Sequence, residues 1–167
     1  MKTHALILSL IFIVGSQLST INSQLSILNL FLHANIFHAL ANSWALISIA
    51  FCLPMRVRHL LTAVFLAQAA VFPCQVMQPS AVIIGFSGVI YALMPMATAA
   101  VSRPLRYNAT ILATILATLF MPSVAGPYHL LCYLAGLLYA LIFTPLLTTR
   151  TTSKTRTTRK PSPPNLK

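Results

Sequence analysis

Residues 36–58 read IFHALANSWALISIAFCLPMRVR. An apolar run over 36–53 is followed at once by Pro54 and by two arginines, Arg56 and Arg58. As a helix that run is about 27 Å long, close to the ~30 Å of hydrocarbon in a bilayer. Cations just past the end of such a run are the mark of a membrane span and its flanking loop. The same pattern recurs outward in both directions. Apolar segments over 4–21, 59–78, 87–101, 107–121 and 128–147 complete a set of six. The expected fold is all-α: a polytopic six-helix membrane domain over 1–148, followed by a basic, disordered tail over 149–167. The fourth and fifth segments are short, at about 22 Å each, and need neighbours to shelter them.

Composition agrees with a bilayer setting. Hydrophobic residues make up 57% of the 167 and charged residues 7%, against about 25% charged in a soluble domain. Too few charges exist here to cover a water-facing surface. The chain has 11 Lys and Arg and no Asp or Glu. That absence excludes a paired-carboxylate protease, a zinc protease with a Glu base, a Ser-His-Asp triad and a carboxylate ion relay. Any catalysis must use Ser, His, Cys, Lys, Tyr or Asn. The formal charge of +11 does not point to nucleic acid, because the cations sit between apolar runs. Cys52, Cys74 and Cys132 form neither an even framework nor a metal-type spacing, and are expected as ordinary buried thiols. No metal or cofactor is expected.

Orientation follows from the cations. Lys2 precedes the first segment, and Arg56 and Arg58 lie between the second and third. Arg103 and Arg106 lie between the fourth and fifth, and Arg150, Lys154, Arg156, Arg159, Lys160 and Lys167 follow the sixth. In a six-span topology all fall on one side, which the positive-inside rule makes cytoplasmic, with both termini. Met1-Lys2, the run Ala5–Val14 and Gly15-Ser16 have the form of a signal peptide. The run continues through Leu18 to Ile21, and a retained first span is expected. Residues 21–32 are expected as an interfacial segment on the outer side.

Polar residues inside spans are costly and so are candidates for function. His38 and Asn42, four apart, share one helix stripe. Taken alone they read first as inter-helix hydrogen bonds that hold the bundle together. Gly85-Phe86-Ser87-Gly88 opens the fourth segment. Read plainly it is a loop-to-helix junction, with glycine for a tight turn and Ser as a cap. It also lets backbone approach closely, so that the Ser87 oxygen and N–H face an open site. His129 opens the sixth segment, with Cys132 and Gly136 on its face at i+3 and i+7. Taken by itself it reads as a His at the headgroup interface. Ser87 lies about 24 Å from Arg103, His38 about 27 Å from Arg56, and His129 about 27 Å from Leu147. The three therefore share one depth, in the outer third. A nucleophile, a base and extra donors at one depth are what acyl transfer needs.

These motifs resemble the rhomboid intramembrane serine proteases, in their minimal six-span bacterial form. The resemblance covers the second to sixth segments. It rests on His33, His38 and Asn42, on Gly85-Phe86-Ser87-Gly88-Val89-Ile90-Tyr91, and on His129 with Gly136. It implies Ser87 as nucleophile and His129 as base, a dyad without a carboxylate. It implies His38, Asn42 and the Ser87 N–H as oxyanion donors, and Tyr91 packed on the base. Gly85, Gly88, Gly136 and His33 take supporting places. Transmembrane proteins are the implied substrates, in a bacterial cytoplasmic membrane, with the site toward its outer face. Substrate helices are implied to enter between the second and fifth spans. A catalytically silent relative that binds client helices is the alternative.

Three features depart from the family. Residues 15–33 hold no Trp-Arg pair. Tyr128 and Cys132 stand where Ala and Gly are usual, and Cys132 is expected to space the fourth and sixth helices and loosen the dyad. The fifth span is short, with 121–127 as a capping loop hinged at Gly126-Pro127.

Overall fold

A computed structural model describes residues 1–15, 30–78, 83–121 and 125–156, without the side chains of 15 and 144–156. Its elements are α1 (Lys2–Gly15), α2 (Ile36–Cys52), α3 (Val57–Met77), α4 (Ser87–Met96), a 3-10 turn (Thr98–Ala100), α5 (Pro104–Leu119) and α6 (Gly126–Arg156). No strand occurs among the described residues. The protein is all-α. By length and composition, α3 and residues Gly126–Phe143 of α6 are long and apolar enough to cross a membrane, while α1, α2 and α4 are apolar but shorter.

Local chemistry sets the helix starts. Asn35 caps α2, its side-chain oxygen accepting from the His38 N–H at 2.9 Å. At α3, the Arg56 N–H donates to His59 Nδ1 at 3.1 Å, returning from the third helical residue to the cap. Pro104 opens α5, where a missing N–H costs nothing. On α5 the hydroxyls of Thr110, Thr114 and Thr118 donate to the carbonyls of Arg106, Ile111 and Ile115. A largely exposed helix thus carries polar side chains without unmet donors.

The core centres on α4. Ser87 to Ile90, Ala92, Leu93, Pro95 and Met96 are all buried, so this helix is covered all round. Alanines on α3 (Ala63, Ala67 and Ala70) and Gly136 on α6 let neighbouring backbones close on it. The α1 helix packs along α2, and its Phe12 is fully buried. The Phe12 ring lies 4.7 Å from Phe86 and 5.0 Å from His33. At the other end, Lys2 Nζ sits 5.1 Å from the Phe51 ring centroid, so α1 and α2 run antiparallel.

Several expectations are corrected. The fourth helix ends at Met96 and not at 101. Pro95 has no N–H to continue the ladder, and Ala97 bonds back to Met94 in a tighter turn. Gly126 and Pro127 are the first turn of α6 and not a loop hinge. A Cβ on Gly126 would stand 2.9 Å from Leu119 Cα, so the glycine lets α5 and α6 meet closely. The sixth helix runs past 149 to Arg156. Cys52 is exposed, whereas Cys74 and Cys132 are buried. Leu30 and Leu32 are buried in the bundle, not laid on a surface. The remainder of the expected interfacial segment, residues 122–124 of the expected capping loop and the tail from 157 lie outside the described residues.

Candidate active site

Gly85 decides the approach to α4. Its φ of 95° lies in the left-handed region that disfavours side chains. A Cβ there would also stand 2.9 Å from His38 Cε1 and 3.3 Å from Asn42 Nδ2. The glycine therefore brings the backbone just before Ser87 against the two polar residues of α2. Ser87 is the first residue of α4, and the helix ladder begins with the Ile90 N–H donating to Phe86. By its position the Ser87 N–H has no acceptor within its own helix.

From α6, His129 faces Ser87. Ser87 Oγ and His129 Nε2 are 2.8 Å apart, and both residues are buried. The expected loosening by Cys132 does not occur. Cys132 is fully enclosed, and α6 packs backbone against backbone on α4 at Gly136, where an added Cβ would strike the Ala92 carbonyl. Gly136 rather than position 132 sets the spacing. The Tyr91 ring, one turn along α4, lies 4.6 Å from the His129 ring at 34°. Its hydroxyl reaches Thr114 on α5, a contact the sequence did not suggest. His129 Nδ1 is buried without a hydrogen-bond partner among the described residues. With no Asp or Glu in the chain, no side-chain carboxylate of its own can serve there.

The second polar group lies on the α2 side. His33 is fully buried. Its Nδ1 lies 3.1 Å from the Phe31 carbonyl, an acceptor only, so Nδ1 carries the proton. Its Nε2 then accepts from Asn42 Nδ2 at 2.9 Å. That bond orients the Asn42 amide and leaves its second amide hydrogen free of this pairing. The His38 ring stands edge-on to His33, with centroids 5.1 Å apart.

Burial first, and the neighbouring His38 second, push the His33 pKa down to about 4 from its ordinary 6.5. Below 6.5 the unfolded chain takes up a proton that the folded one refuses. The stabilisation is thus complete above pH 6.5 and is lost as pH falls toward 4. The unfolding temperature in detergent is expected to drop over that window. His33→Gln, which cannot titrate, should give a shallower slope, and equal slopes would contradict this account.

Ser87, His129, His38, Asn42 and Tyr91 all line one cavity of about 680 Å³. It continues along α4 from Ser87 past Tyr91 to Met94, and along α2 from His38 to Ala45. Two turns of α4 are about 10 Å of depth. The polar groups stand at one end, and Ala41, Ala45, Ile90 and Met94 make the rest apolar. Sequence reasoning missed Phe12 behind His33 and the Tyr128 contacts described below. Both are apolar or aromatic residues whose partners lie far away along the chain.

No curated protein and no solved structure matches the chain. A family model described as the rhomboid domain matches residues 22–146, which takes in α2 to α5 and most of α6. That family consists in the main of intramembrane serine proteases, and its domain makes this a membrane protein. The match covers well over half of the chain, and the protein belongs to the rhomboid family.

Proposed function

We propose that this protein is an intramembrane serine endopeptidase that hydrolyses peptide bonds in or near transmembrane segments of other proteins. The observation that carries the reading is the 2.8 Å approach of Ser87 Oγ to His129 Nε2 at the polar end of a mainly apolar cavity. Six helices would cross the membrane, with Arg56, Arg58, Arg103 and Arg106 at the cytoplasmic ends and the pocket toward the outer face. A bacterial cytoplasmic membrane is the proposed setting.

In this reading His129 is the Nδ1–H tautomer, so that Nε2 can accept. Ser87 Oγ–H donates to Nε2 and passes its proton there as Oγ attacks the scissile carbonyl. Negative charge then develops on the carbonyl oxygen. The Ser87 N–H, the free amide hydrogen of Asn42 and the His38 ring converge from α4 and α2 to hold it. His129 returns its proton to the leaving amine, and water releases the acyl group. A bound helix must unwind locally, because a helical peptide bond is shielded by its own turn. The cavity beyond Ser87 has room for the unwound segment, and its uncharged walls suit apolar side chains.

The test is cleavage of a single-span substrate in vesicles, together with covalent capture of a fluorophosphonate at Ser87. Absence of both capture and cleavage favours the silent, helix-binding reading, whereas capture at Ser87 marks an activated nucleophile and counts against it. Asn42→Ala should lower kcat by on the order of 10²- to 10³-fold with a smaller change in KM. An unchanged kcat removes Asn42 from the oxyanion role.

A further inference from the structure

We propose that Tyr128 is a positioning residue for the Ser87–His129 pair: one side chain ties the first turn of α6 to both α4 and α3, and so sets where the His129 ring stands. The proposal rests on the reading of Ser87 and His129 as a dyad.

Tyr128 adjoins His129 in the chain, and their ring centroids are 6.0 Å apart. It is among the largest fully buried side chains in the protein, at 1% exposure. A phenol buried so deeply needs an acceptor for its hydroxyl. It has one on a third helix: the Tyr128 OH donates to the Ala67 carbonyl of α3 at 3.2 Å. Between these ends the ring crosses Gly88, the residue next to the nucleophile. A Cβ on Gly88 would collide with the Tyr128 ring and hydroxyl. The side chain thus leaves α6 beside the base, passes α4 beside the nucleophile, and is anchored on α3.

The chemistry gives such a strut a purpose. Where a triad is present, a carboxylate holds the base imidazole in its working orientation. This chain has no Asp or Glu. The His129 ring must take its orientation from packing and from the backbone that carries it. Tyr91 covers one face of the ring at 4.6 Å. Tyr128 holds the backbone at the root of that ring. The bond to Ala67 satisfies the buried hydroxyl and at the same time fixes the far end of the ring on α3. The relation to Gly88 is reciprocal, since ring and missing Cβ occupy the same space.

The experiment measures three quantities on the full-length protein in detergent or vesicles. They are the rate of fluorophosphonate capture at Ser87, the kcat and KM for a single-span substrate, and the unfolding temperature. Tyr128→Phe keeps the ring and loses the bond to α3; capture and kcat should fall on the order of ten-fold, with KM unchanged. Tyr128→Ala should lose on the order of 100-fold, as expected for a misplacement of about 1 Å. Gly88→Ala alone should also slow capture, but in the Tyr128→Ala background it refills the gap and should recover part of the rate. Wild-type capture and kcat in both Tyr128 variants, with only a lower unfolding temperature, would overturn the proposal. If Tyr128→Ala does not fold, Tyr128→Phe decides alone: a wild-type rate overturns the inference. If the wild-type protein is not captured at all, the dyad reading fails and this inference with it. Capture in the wild type at a rate that no Tyr128 substitution changes overturns this inference only.

Discussion

Ser87→Ala and His129→Ala should each reduce cleavage of a single-span substrate by on the order of 10⁴-fold or more, while the protein still inserts and folds. The first removes the attacking oxygen. The second removes the acceptor 2.8 Å from it, so the hydroxyl keeps its proton and remains a poor nucleophile. The two act as one unit, and the double variant should be no slower than the slower single variant. Folding should change little, because the hydrogen bond between them contributes only about 1 kcal/mol. Gel-based cleavage in vesicles, with an unfolding curve for each variant, separates lost chemistry from lost structure. Full activity in either single variant would refute the dyad.

Gly136→Ala is the second large effect, and it acts without touching a reacting atom. A Cβ at 136 would strike the Ala92 carbonyl of α4, and its carbon and Cα would stand 2.9 Å away. These are backbone atoms of the most enclosed helix in the bundle and cannot turn aside as a side chain can. The expected response is that α4 and α6 separate by several tenths of an ångström or more. Overpacking of this kind costs about 1–3 kcal/mol of stability. Ser87 and His129 ride on the two helices being separated, one above each side of that contact. Their hydrogen bond should lengthen, and activity should fall on the order of 100-fold. Fluorophosphonate capture and the unfolding temperature should therefore fall together. Wild-type capture in Gly136→Ala would mean that the two helices adjust elsewhere and that this contact does not set their spacing.

The two variants differ in how readily they could be foreseen. Ser87 and His129 stand out in the sequence because a polar residue in an apolar run is conspicuous. Gly136 was visible as a small residue on the His129 face, but its partner was not. Cys132, on the same face, looked like the residue that would hold the helices apart. The helices close at Gly136 and Ala92, and the Cys132 thiol is accommodated in the core. Small-residue spacing shows which face of a helix can be approached closely. It does not show at which turn the partner backbone crosses it.

Helix ends divide in the same way. The start of α2 at Ile36 follows from Asn35, a local cap. The end of α4 at Met96 follows from Pro95 and the tight turn after it, which the unbroken apolar run to 101 concealed. Apolar patterning measures how greasy a segment is and not whether its backbone ladder is intact.

The apolar solvent, the helical class, the absence of carboxylate chemistry and the residue types left for a site are all legible in the amino-acid chain. These follow from composition and from one-dimensional spacing. The packed bundle alone reveals that Gly85 presses against His38 and Asn42, that His33 holds the Asn42 amide, and that Tyr128 joins α6 to α3 across Gly88. Those contacts join residues on different helices and depend on how each helix is rotated about its axis. In an apolar bundle that rotation is set by close packing of small residues, a property of pairs of surfaces that no single stretch of chain displays.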